Sequence, residues 1–276
     1  WAKRWPVLVF PILAGGEPSP VADSVQIGVA LTLAPGEGGV GAGDFEAVGA
    51  AAHAIVEGAR GKLHADKKLA AFAATPEMLP KVPETIEAGV ALVQQAIEGW
   101  KAGAEAAGSA SVALFCGGDA IFDGQSYAQI KGAPTDVEAL TAAYVAAYGK
   151  GVKLFVQPFS ASSQAYDALS SQCAGASILT DDLGAVPSPA RQCVLPLKGS
   201  AAFLLAAFRS GSKKSPKGPA AVMADAISLE QPADLFAVLA LPEVSMLICP
   251  QPLTSTCLKA WGDALDDALA SAADAP

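Results

Sequence analysis

Short, wholly apolar runs separated by stretches with helical spacing recur along nearly the whole chain, and this alternation constrains the fold more than any other feature. Val7 to Leu13 reads as a buried strand closed by Gly15-Gly16, and Val25 to Leu33 as another closed by Pro35-Gly36. A helix follows with Asp44 as its N-cap, Phe45, Val48, Ala52, Ile55 and Val56 at helical spacing, and an end near Gly58 or Gly61. A longer one spans about Pro83 to Ala102, and its stripe of Ile86, Val90, Val93, Ile97 and Trp100 suits a helix lying on a sheet. Val112 to Phe115 is a strand, and Thr135 with Glu138 makes a capping box opening a helix that stops at Gly149.

The pattern continues with strands Lys153–Val156, Ile178–Thr180, Val194–Leu197, Ala220–Ala224 and Val244–Ile248. Helices are expected at Ser162–Ser171, Ser200–Arg209, Pro232–Leu241 and from Thr254 or Ser255 to Leu269. Apolar strands that do not alternate with polar residues imply a parallel sheet covered by helices. About eight such units in a chain of 276 residues favour a closed TIM-type (βα)8 barrel over an open doubly wound sheet. No strand is followed by a dinucleotide fingerprint or a phosphate loop, which weakens the Rossmann alternative.

Composition narrows the partners. The net charge of −9 offers nothing to a phosphate backbone, so nucleic acid is not expected. Lys213, Lys214 and Lys217 stand among Ser, Gly and Pro and read as a solvated loop. The longest apolar run, Leu235 to Pro250, is broken by Pro242 and Glu243 and is too short for a bilayer. Five cysteines without a C-x-x-C pair argue against a disulfide framework or zinc site and fit a reducing, cytoplasmic compartment. His53 and His64 have no partner at metal-ligand spacing, and Asp263, Asp266 and Asp267 read as a solvated helix face. The chain begins at Trp1 with no signal-peptide pattern and is read as an ordered piece of a longer protein.

An ordered series of segments resembles the C-terminal barrel domain of enolase (phosphopyruvate hydratase). Trp5-Pro6-Val7 through Ile12-Leu13-Ala14-Gly15-Gly16 is similar to that family's P-V-P…I-N-G-G, and Val25-Gln26-Ile27 through Pro35 to its I-Q-E-F-M-I-x-P. Val112 to Cys116 with Asp123-Gly124 stands for A-L-D-x-A…D-G-x-Y, and Phe155 to Phe159 for I-E-D-P-F. Leu179 to Leu183 stands for V-G-D-D-L and Leu197-Lys198 for L-x-K. The resemblance implies an enolase-like barrel over residues 1–276 with a β-β-α-α start, and without that family's N-terminal α+β domain.

The resemblance also implies a lost chemistry. Enolase chemistry abstracts a proton next to a carboxylate and stabilises the resulting anion with two magnesium ions held by oxygen ligands. The metal-binding Asp and Glu positions are occupied by Phe115 and Val156, with Gln157 for the adjoining Asp. Val29 and Ala71 stand for two glutamates, Pro18 for the loop histidine, Ala226 (within Asp225 to Ser228) for the substrate-gripping S-H-R-S, and Leu247 for the second lysine. Asp181, Asp182 and Lys198 remain, Asp181 at a metal-ligand position and Lys198 at that of the base; an ion pair of Asp181 with Lys198 is the plainer reading. One carboxylate cannot hold magnesium well, so no metal or other cofactor is expected. Phe115, Val156, Val29 and Ala71 should line an apolar barrel mouth, free of the repulsion that unpaired carboxylates would suffer there.

The first expectation is therefore a pseudoenzyme, a scaffold within a larger protein assembly that binds other proteins and no small-molecule substrate or membrane. The resemblance points to the ciliary axoneme as one place where enolase-like proteins occur. The alternative is an active magnesium-dependent phosphopyruvate hydratase or related lyase, which would need ligands among Asp119, Asp123, Asp181, Asp182 and Asp225. A third reading is a small-anion binding module built on Lys198.

Overall fold

The structure is a computed structural model that describes residues 6–14, 25–33, 42–65, 79–80, 85–103, 108–128, 134–160, 164–180, 191–197, 220–224, 244–249, 258–264 and 266–267. In chain order the elements are β1 (Val7–Ala14), β2 (Gln26–Leu33), α1 (Ala42–Ala65), β3 (Leu79–Pro80), α2 (Ile86–Ala102), β4 (Gly108–Phe115), α3 (Gly118–Ile121), α4 (Val137–Gly149), β5 (Val152–Val156), α5 (Ala165–Gln172), β6 (Ser177–Thr180), β7 (Arg191–Leu197), β8 (Ala220–Ala224) and β9 (Val244–Ile248). Residues 258–264 are also helical.

The strands form one sheet of nine in the order β2-β4-β5-β6-β7-β8-β9-β1-β3, and β1 also pairs with β2, so the order returns to its start. Pairing is parallel from β4 round to β1. Strand β2 runs antiparallel to both of its neighbours, with Val9 opposite Ala30 and Gly28 opposite Ala113.

These pairings correct the expected TIM-type (βα)8 barrel. The sheet is mixed, not all parallel, and the described elements do not alternate strand with helix. Strand β2 follows β1 directly, because residues 15–25 are fewer than the roughly dozen that a parallel crossover takes. The expected β-β-α-α start is interrupted by β3, which pairs with β1 at Leu13 and Ala14 and lies between α1 and α2 in the chain. Two helices, α3 and α4, occupy the single connection from β4 to β5.

Several boundaries also move. Helix α1 begins before Asp44, which lies in its first turn, and continues past Gly58 and Gly61. Helix α2 starts at Ile86, capped by the Thr85 hydroxyl, which accepts a hydrogen bond from the Ala88 N–H at 3.2 Å. The cap of α4 is Asp136, whose carboxylate accepts from the Ala139 N–H at 2.7 Å. Thr135 is not the cap, because its backbone N–H and C=O are both committed to a bridge with Tyr127, each bond 2.9 Å long. The expected helices at Ser200–Arg209 and Pro232–Leu241 lie outside the described residues.

Two apolar layers result. Leu8, Phe10, Ile12, Ile27, Val29 and Leu31 face outward and pack with the apolar stripes of α1 and α2. The Phe45 ring of α1 meets Trp261 edge-on at 5.7 Å, which ties the C-terminal helical segment to the same layer. The inner layer lies on the other side of the strands and carries the candidate site. No helix among the described residues is long and apolar enough to cross a membrane.

Candidate functional site

The inner layer consists of Val9, Ala30, Ala113, Phe115, Leu154, Val156, Leu179, Ala221 and Ile248, with Val7, Met223 and Met246 packed against them. These are all hydrocarbon or thioether, and the described polar side chains on the same face are neutral: half-buried Gln26 opposite Phe115 and half-buried Ser111 opposite Ala30. Phe115 and Val156 are the last residues of β4 and β5 and lie opposite each other in register. Both are buried, at 9% and 2% exposure.

The ring of Phe115 has room because position 28 is glycine. A Cβ there would stand 2.7 Å from Phe115 Cε2 and 2.2 Å from the Phe10 carbonyl oxygen, both far inside contact distance. The absent methyl is thus the recess into which the ring edge fits.

The other expected site residues divide. Val29, expected at the mouth, and Leu247, expected in place of the second lysine, belong to the outer, helix-facing layer. Their inward-facing neighbours are Ala30 on β2, and Met246 and Ile248 on β9. Asp181, Asp182, Lys198, Ala71, Pro18 and Ala226 lie outside the described residues, as does Asp225. Asp119 and Asp123 are exposed after β4. His53 is exposed on α1. Cys116, Cys173 and Cys249 are buried and in no disulfide, and burial pushes the Cys173 thiol pKa up.

The rim next to Phe115 is tightly built. Gly117 adopts the left-handed conformation (φ 61°), and a Cβ on Gly118 would stand 2.4 Å from the Phe159 carbonyl carbon. Gln157 also has a positive φ, 50°, unusual for a side chain of its kind. Its backbone is locked in place: its N–H donates to the Leu179 carbonyl at 2.9 Å, and its carbonyl accepts from the Gly118 N–H at 2.7 Å.

Three tyrosines then hold the next residues. Tyr144 Oη donates to the Pro158 carbonyl at 3.3 Å, Tyr166 Oη donates to the Phe159 carbonyl at 2.8 Å, and Tyr127 Oη accepts from the Ser160 N–H at 3.2 Å. The Phe159 ring packs among those of Tyr127, Tyr144 and Tyr166 at centroid distances of 6.2, 5.6 and 5.5 Å. The sequence reading missed this clamp. Its one available signal was that a tyrosine on a buried helical stripe needs a partner for its hydroxyl.

Beyond α3, Asp123 closes a turn. Its carboxylate accepts from the Gln125 and Ser126 N–H groups at 2.8 and 2.7 Å and from the Ser126 hydroxyl at 3.0 Å. The Ser126 N–H first, then that of Gln125, holds this carboxyl below the ordinary aspartate range. All the bonds are local, and they use the carboxylate to shape the loop.

Magnesium requires converging oxygens. At the two described positions where the enolase resemblance puts acidic ligands and whose side chains face inward, the chain presents a benzyl and an isopropyl group. The described residues therefore do not fit that ion. Among them, no group of three or more His, Cys, Asp or Glu stands close enough to share a metal. No family model matches this chain, and no curated protein matches it.

Proposed function

We propose that this chain is a catalytically inactive relative of the enolase barrel domain that serves as a structural or scaffold part of a larger protein assembly. The observation that carries the proposal is the filled inner layer, where Phe115 lies against Gly28 and opposite Val156. A substrate pocket combines apolar walls with a few convergent polar groups. Here the described wall carries only neutral polar side chains, Gln26 opposite Phe115 and Ser111 opposite Ala30, and no charged group among its described residues. Stabilising a developing enolate needs preorganised charge, and loss of even one such group costs about 10²–10³ in rate.

The scaffold role rests on the outer faces of the described helices, which are available to other proteins. A cytoplasmic setting, with the ciliary axoneme as the place to look first, belongs to the same proposal and rests on the enolase resemblance.

The chemical half is tested by incubating the purified chain with 2-phosphoglycerate and Mg²⁺ and following phosphoenolpyruvate absorbance. The expected result is the rate of the protein-free blank, and saturable turnover would overturn the reading. For the scaffold half, in-cell cross-linking followed by mass spectrometry should give reproducible cross-links to a small set of other proteins. Recovery of uncross-linked monomer alone would sink that half and leave the chemical half standing.

A further inference from the structure

We draw no further inference here: the strongest candidate, the open cleft of about 460 Å³ between α4 and α5 lined by Val137, Thr141, Ala165 and Ala168 with Glu138 and Gln172 at its edges, carries none because nothing in the structure shows what covers it.

Discussion

Replacing Phe115 by aspartate restores the residue type that the enolase resemblance places there, and it separates a packed interior from a dormant metal site. Two costs combine. Removing a buried aromatic ring leaves a cavity among Ala113, Leu154 and Val156, and Phe→Ala changes of this kind cost about 3–5 kcal/mol. The new carboxyl is also desolvated, which raises its folded pKa, so the folded state takes up a proton that the unfolded state has lost. Each unit of that rise adds about 1.4 kcal/mol of destabilisation, in full once the pH exceeds the raised folded pKa and starting from the unfolded aspartate value of about 3.9. The extra penalty is absent below that value and grows as the pH rises. Urea unfolding of F115D and F115A at pH 4 and pH 7 measures both parts. F115A should lose a similar amount at each pH, whereas F115D should lose distinctly more at pH 7. Magnesium supplies the refutation: a ligand at a hundredfold excess over its Kd stabilises the folded state by about 2.7 kcal/mol. A comparable gain for F115D on adding Mg²⁺ would mean that oxygens already converge on position 115, and the inactive-interior reasoning would fail.

Three further outcomes test the surrounding structure. Gly118→Ala puts a methyl 2.4 Å from the Phe159 backbone, where no flexible side chain can yield, and should lower stability by roughly 1–3 kcal/mol in chemical denaturation. Asp136→Ala removes the cap of α4 and should cost about 1 kcal/mol, while Thr135→Ala, which keeps the backbone bridge to Tyr127, should cost clearly less; equal losses would restore Thr135 as the cap. The depressed Asp123 pKa means that the folded state binds its proton less readily than the unfolded state, so this contribution is full above the ordinary aspartate pKa and fades as the pH falls through the lower folded value. Carboxyl titration by NMR should place Asp123 below the ordinary aspartate value of about 3.9, and titration at that value would contradict the turn.

The apolar runs of β1, β2, β4 and β5 and the stripe of α2 were legible because burial on a sheet demands them. Direction was not legible, since an apolar strand reads the same parallel or antiparallel. Only the shortness of residues 15–25 hinted that β2 turns back on β1. Facing was lost for a related reason. In strands buried on both sides the two-residue alternation carries no polarity contrast, and a slip of one residue exchanges inside for outside. The enolase resemblance placed Val29 at the mouth and Leu247 in place of the second lysine, and no polarity contrast in the sequence could show that their neighbours Ala30, Met246 and Ile248 face inward instead. Thr135 and Asp136 are both good caps by type, and a bridge to Tyr127 that no local pattern records decided between them.

The rim argues in the same direction as the interior. Gln157 is the one non-glycine residue with positive φ among the described residues, and such a conformation costs on the order of 1–2 kcal/mol. Strain of this size at a strand end often aims a reactive side chain. Backbone bonds to Leu179 and Gly118 help hold it, and the residues that follow are fixed through their own backbone by Tyr144, Tyr166 and Tyr127. The strain therefore positions a stretch of main chain. It docks that stretch against Gly118 and closes the rim beside Phe115. A strand end held this firmly at the rim suits a surface that must keep its shape more than a pocket that must open.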